Sequence, residues 1–227
     1  VTFPWRRLGS ARAILYDIDA LRYFIDYAKK KQIPHPVFYI LACRIGPFIS
    51  HFCRQIHALG GELYVNPDGH EFLRAKWSAP VRRYWKLSER LMVKHADLLV
   101  CDSQNIEAYI RKEYAPYRPN TTFIAYGAET VPSKLAQDDQ ELLAWYAKNG
   151  VQAQGYYLVV GRFVPENNYE TMLREFVKSD TKKAFVLITD VNDSFLDTLK
   201  QRTGFDKDSR IRFAGTVYHK ELLKKNP

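Results

Sequence analysis

Several absences narrow this sequence before any motif is weighed. Its 227 residues contain no run of about 18 apolar residues, so no segment reads as a membrane-spanning helix. The opening VTFPWRRLGS has neither an apolar leader nor an initiator Met, and the natural protein is expected to begin earlier. Cysteine is scarce: Cys43, Cys53 and Cys101 cannot all pair and none sits in a C-x-x-C, which fits a reducing compartment. Cys53 and His57 lie close in FISHFCRQIHAL, but the apolar spacing there describes a two-faced helix rather than a metal site. Neither a G-x-G-x-x-G fingerprint nor a Walker A sequence occurs, so the usual dinucleotide and ATP signatures are missing. Internal repeats and low-complexity segments are absent as well.

Present instead is an unevenly placed excess of positive charge, +9 in total, on an ordinary globular composition of 46% hydrophobic residues. Residues 1–130 carry 19 Lys and Arg against 12 Asp and Glu, whereas residues 131–227 carry 15 against 13. A basic front half suits an anionic partner, which leaves nucleic acid, acidic lipid or a phosphorylated substrate beside a merely soluble basic surface. Nucleic acid has the least support. No binding motif occurs, and the aromatic residues fall in strands and helix faces rather than on a basic sheet.

Along the chain, helical and strand patterns alternate. ARAILYDIDALRYFIDYAKKKQ repeats apolar residues at helical spacing and ends in lysines that suit a helix C-terminus. IPHPVFYILAC reads as a strand buried on both faces. Gly46 to Leu59 reads as a helix closed by Gly60-Gly61, and ELYVN as the next strand. A basic amphipathic helix follows in APVRRYWKLSERLMVKHA, then the strand DLLVCDS, the helix QNIEAYIRKEY capped by Ser103, and the strand NTTFIAYG. After a connector around Pro132 and Ser133 comes the helix QELLAWYAKNG, and the alternation restarts at YYLVVGRF. These are β-α-β units. The fold class is α/β, with parallel sheets in two tandem Rossmann-like domains, 1–130 and 131–227.

In such sheets ligands bind beyond the carboxyl ends of the strands, so the segments after two strands stand out. NPDGHEFLRAKW follows ELYV and gathers Asp68, His70, Glu71, Arg74 and Lys76 beside Trp77. Asp68 and Glu71 are candidate bases or acceptors; Arg74, Lys76 and Trp77 are candidates to hold an anion or a sugar ring. The plainer reading is a charged loop in which Asp68 and Gly69 make a turn. In the second half, VVGRFVPENN sets Gly161, Arg162, Glu166, Asn167 and Asn168 between a strand and a helix, where an arginine beside a helix N-terminus suits a diphosphate. Asp17-Ile18-Asp19 has the form of a metal-holding D-x-D but lies inside a helical pattern, which makes it helix surface.

Taken together, NPDGHEFLRAKWSAPVRRYWKLSE, ADLLVCDSQNIEAYI, FIAYGAE and YYLVVGRFVPENNYET resemble family-4 glycosyltransferases with the two-Rossmann-domain (GT-B) architecture. More narrowly, they resemble bacterial rhamnosyltransferases of capsule and cell-wall polysaccharide synthesis, over about Leu8 to Leu223. The resemblance implies retaining transfer of L-rhamnose from dTDP-rhamnose to a polyprenyl-diphosphate-linked saccharide, without a required metal or cofactor. It implies donor binding by Gly161, Arg162, Glu166 and Asn167, a catalytic role for Asp68, and acceptor binding by Glu71, Arg74, Lys76 and Trp77. A cytoplasmic enzyme held peripherally at the inner, anionic membrane face follows from it. Many relatives have Lys where this chain has Asn167, and a His-Gly pair where it has Asp68-Gly69, which leaves Asp68 less secure as a base. Relatives also carry an E-x7-E element and a glycine-rich loop after the first strand. Both are absent, and Asn226-Pro227 matches a pair found further along, so the chain is expected to be abridged at both ends and inactive alone. Alternatives are a transferase for another nucleotide sugar, or an epimerase, which would turn over donor without acceptor.

Overall fold

The computed structural model describes residues 12–74 and 76–225. Asn226-Pro227 and the opening residues lie outside that description. The chain divides into two units, Val1–Ala128 and Glu129–Pro227. Both are α/β with parallel sheets, the expected class.

The first unit runs α1 (Arg12–Lys30), β1 (Val37–Ile40), α2 (Gly46–Ala58), β2 (Glu62–Val65), α3 (Ala79–His95), β3 (Leu98–Cys101), α4 (Gln104–Glu113) and β4 (Thr121–Phe123). Its sheet has the order β1-β2-β3-β4, every pair parallel. The helical spacing read in α1 is real: Ile18, Leu21, Ile25 and Ala28 are its buried stripe. In α2 the buried face is Ile49, Phe52, Cys53 and Ile56, so Cys53 belongs to the core. Helices α2 and α3 approach so closely that a Cβ on Gly46 would lie 2.3 Å from the Ser88 carbonyl oxygen. Glycine alone fits there, and the Gly46 N–H donates to Ser88 Oγ at 2.8 Å, which satisfies one of the open donors at the start of α2.

Two expectations need correction. The strand around Val37 is not buried on both faces: Val37 and Tyr39 are 54% and 47% exposed, while Phe38 is buried. Among the described residues β1 pairs only with β2, and an edge strand alternates where a central one need not. The strand read across NTTFIAYG is short, because regular pairing ends at Phe123. Ser103, by contrast, caps α4 as expected, accepting from the Asn105 N–H at 3.2 Å.

The second unit runs α5 (Gln140–Asn149), β5 (Tyr156–Val160), α6 (Tyr169–Lys178), β6 (Ala184–Ile188), α7 (Asp193–Thr203), β7 (Ile211–Gly215) and α8 (Lys220–Lys225). Its sheet order is β5-β6-β7, again parallel. The middle strand shows why its sequence is continuously apolar. Phe185 and Leu187 pack with Leu173 and Leu199 on one face, and Val186 and Ile188 pack with Leu142 and Leu222 on the other. Helix α8 had no counterpart in the sequence reading, six residues being too few to show a period.

Candidate functional site

At the carboxyl end of β2 the chain is held by Asn66, which is 2% exposed. Its N–H donates to the Ile40 carbonyl at 2.8 Å, its side-chain amide to the Tyr126 hydroxyl at 3.2 Å, and its Oδ1 accepts from the Asp68 N–H at 2.8 Å. That last bond makes an Asx turn, and it sets Asp68 and Gly69 in the left-handed region at φ +48° and +63°. Aspartate is among the residues that tolerate this region, and the turn accounts for it here. Its carboxylate makes no ion pair or side-chain hydrogen bond among the described residues. Lost solvation raises its pKa; Arg74 opposes that, Glu71 and Asp102 add to it, and Arg44 opposes it again.

Beyond the turn the charges pair with one another. Glu71 takes Arg74 Nε at 2.6 Å, Lys76 Nζ at 3.6 Å and the Trp77 indole N–H at 3.0 Å. Lys76 also lies over the Trp77 ring, 4.4 Å from its centroid, and Trp77 neighbours Trp85 at 6.1 Å. These side chains and Asp68 wall a pocket of about 250 Å³ within the first unit. Asp68, Glu71, Arg74, Lys76 and Trp77 therefore share one cavity, and His70 lies outside its wall. Arg44 joins the wall, itself bound to Asp17 Oδ2 at 3.0 Å, so Asp17 serves an ion pair rather than open helix surface.

The pocket also includes a residue that no motif flagged. Glu89, on α3, is 4% exposed, and its Oε1 accepts from the hydroxyls of Tyr109, at 2.6 Å, and Tyr114. Lys86 Nζ stands 3.6 Å from the same oxygen and donates to the Tyr109 hydroxyl at 2.6 Å. Lys86 in turn lies 4.6 Å from the Phe72 ring centroid, and His70 lies 4.2 Å from the Tyr109 ring, so this network seats the segment after β2. A signal was there to read: Glu89 is the one acid of a basic helix, three residues before the buried Met92 and so on its inward face.

In the second unit, β5 ends in Gly161-Arg162-Phe163. Phe163 turns inward, its ring 4.8 Å from Tyr169 and 5.0 Å from Phe195, while Arg162 is exposed. The backbone here is pinned: Tyr169 Oη donates to the Gly161 carbonyl at 3.1 Å, and the Asn167 amide to the Arg162 carbonyl at 2.7 Å. Among the described residues the Arg162 guanidinium has no partner. Asn168, at φ +57°, begins α6 without a side-chain cap, which leaves N–H groups at that end open. One strand over, Thr189 donates its N–H to the Gly215 carbonyl at 3.0 Å, and its 3%-exposed hydroxyl has no partner among the described residues. Gly161, Arg162, Glu166 and Asn167 thus occupy one loop beside a helix N-terminus at the carboxyl edge of the sheet.

Three solved structures of Anabaena Alr3699/HepE have a similar fold. The complex with UDP matches with a TM-score of 0.57 at 12% identity, covering 90% of this chain and 54% of that one. The complex with UDP and glucose matches at 0.56 and 13% identity, covering 97% and 56%. The complex with UDP-glucose matches at 0.52 and 13% identity, covering 89% and 53%. The chain spans just over half the length of these structures. At such identity the likeness shows fold. No curated protein matches the chain in sequence. Residues 2–129, more than half of the chain and the whole of the Asp68 pocket, match the domain of unknown function DUF1972, and the chain belongs to that family.

Proposed function

We propose that the protein is a retaining glycosyltransferase of the GT-B kind, moving a sugar from a nucleoside-diphosphate donor to a saccharide hydroxyl. The observation that carries the reading is Arg162. Its guanidinium is exposed and unpartnered among the described residues, beside a helix N-terminus, in a fold whose solved likenesses hold UDP and UDP-glucose. The donor side is the second unit, with Arg162 at the diphosphate and Gly161 and Glu166 in the same donor loop. Asn167 acts through the loop, because its amide holds the Arg162 carbonyl. The acceptor side is the Asp68 pocket, where Glu71, Arg74, Lys76 and Trp77 form the wall.

In the reaction the bond from the anomeric carbon to the diphosphate oxygen breaks, and a bond from that carbon to the acceptor oxygen forms on the same face, as retention in a single step requires. The hydroxyl proton passes to Asp68, whose raised pKa suits a base better than an ordinary carboxylate does. The leaving diphosphate gains negative charge as it departs, and a fixed guanidinium is more useful then than in the ground state. No metal has a part in this scheme, so a chelator should leave donor binding unchanged.

The finer reading is L-rhamnose from dTDP-rhamnose, passed to a polyprenyl-diphosphate-linked saccharide of a bacterial capsule or cell wall. It rests on the sequence resemblance of the segments around Asp68 and Arg162. Calorimetric titration with dTDP-rhamnose beside UDP and GDP sugars tests both levels. Preference for dTDP-rhamnose supports the finer reading, and preference for another nucleotide sugar replaces it. Failure to bind any nucleoside diphosphate would sink the reading altogether.

A further inference from the structure

The cations of the first pocket are already engaged. Arg44 is bound to Asp17, while Arg74 and Lys76 share Glu71. Two carboxylates keep an open oxygen. Asp68 is unpartnered among the described residues, and Glu89, although 3.6 Å from Lys86 Nζ, spends only Oε1 on that ion pair and on both tyrosyl hydroxyls, so Oε2 has no partner among the described residues. Both act on one buried group. The Cys43 thiol on the pocket wall is pushed well up, by burial first and then by Glu89 and Asp68. An open carboxylate oxygen on a pocket wall is a ready acceptor for a ligand's hydroxyl or ammonium group. Trp77 and Trp85 add ring faces of the kind sugars lie against. The cavity, about 250 Å³, sits just under the roughly 300–1,000 Å³ of drug-sized sites, which suits one sugar ring.

We infer that this pocket selects a neutral or amino sugar and rejects an acidic one, with Glu89 and Asp68 accepting hydrogen bonds from the ring's hydroxyl or ammonium groups. The inference deepens the acceptor assignment above and rests on it. A uronate or phosphosugar would set its charge against two carboxylates, while the nearby arginines and lysine are held by other acids. Like-charge contacts of that kind are a common device for discrimination. In the segment that looks built for an anion, Arg74 and Lys76 are, by this account, occupied by Glu71, and Asp68 and Glu89 are left to face the ligand.

The test uses the whole chain and three sugars of one frame: glucose, glucosamine and glucuronate, followed by tryptophan fluorescence and ligand-observed NMR. Glucosamine and glucose should bind, with glucuronate weaker by about tenfold or more. Glu89→Gln keeps the shape and an acceptor for the tyrosines; it should remove most of the preference for glucosamine while the melting temperature stays close. Asp68→Asn, at the solvent-facing rim, gives a second variant whose folding is not at risk and should narrow the gap to glucuronate. Glucuronate binding as well as glucose, no sugar binding at all, or unchanged selectivity in both folded variants would each overturn the inference. Nucleotide titration of the same samples separates the two readings. Nucleotide binding without sugar selectivity removes only the pocket inference, and sugar selectivity without nucleotide binding removes only the donor assignment.

Discussion

Arg162 and Asp68 illustrate two ways in which a side chain can be placed for something other than stability. The guanidinium of Arg162 touches no described partner, and the fold around it is held by Phe163, Tyr169 and Asn167. Arg162→Ala should therefore leave the melting temperature within a degree or two, since exposed substitutions away from such features change little. If the protein transfers a sugar as proposed, the same change should cost roughly 3 kcal/mol, on the order of a hundredfold in turnover. Arg162→Lys should restore only part, because an ammonium cannot make the two-pronged contact. An early-melting variant with near-normal specific activity would mean a structural arginine instead. Asp68 sits in the left-handed region at φ +48°, and lost solvation disfavours its charged form. Because its pKa is higher folded than unfolded, its contribution is complete below the unfolded value and lost as pH rises through the folded one. At neutral pH the ionised group thus costs stability. Asp68→Asn, which also tolerates the left-handed region, should melt at or above the wild type at pH 7 and lose that advantage in acid. Turnover should fall, by roughly a hundredfold if Asp68 is the base. A clear drop in melting temperature at pH 7 would contradict this account.

At the scale of elements, the period of the apolar residues carried most of the reading. Helices α1, α2 and α4 were legible because each buries one stripe, and β6 because it is apolar on both faces. β1 misled because VFYI looks like a central strand; which side of a sheet stays open depends on a neighbour far away in sequence. Of the pocket, the segment after β2 was legible as a cluster. Its internal pairing through Glu71 was not, and neither was the arrival of Glu89 from a helix beginning eight residues after Glu71. Helix α8 depends on charge rather than burial alone. Glu129 is paired with Lys220 and, at 2.9 Å, with Lys224, and these hold its carboxyl down to about 2. A pKa lower in the folded state adds stability that is present above the unfolded value and fades as pH falls towards 2. The pair is exposed, so the effect is small and screened by salt. Protection of the α8 amides against exchange should fall between about pH 4.5 and 2.5, the range at and below the ordinary glutamate value of about 4.3, and Glu129→Gln should lessen that fall, with Glu221 supplying the remainder through Lys134 and Lys224. Equal acid sensitivity in both proteins would show that the clip is incidental.

For the whole molecule, charge and strand order matter most. No helix among the described residues is long and apolar enough to cross a membrane. Arg82, Arg83, Arg90 and Lys94 are exposed along α3, whose one acid, Glu89, is turned inward. If the enzyme meets a lipid-linked acceptor, attachment should be electrostatic. Binding to anionic vesicles should fall steeply with salt, since exposed charges are screened within about 10 Å at 0.1 M. Replacing Arg83 and Arg90 with Ser should weaken it further, and equal binding to neutral vesicles at high salt would rule it out. The strand orders β1-β2-β3-β4 and β5-β6-β7 have a separate consequence, for the time course of folding. Among the described residues each strand after the first of its sheet pairs with the one made just before it, so the helix-and-strand segment that brings it finds its partner already in place. Within these residues each pairing closes only one crossover, and for this chain that order lowers the entropic barrier that slows most parallel sheets. Its growing sheet carries one fresh open edge at a time, which the next segment covers, so slow synthesis should cost this protein less in misassembly than it costs folds whose first and last strands must meet.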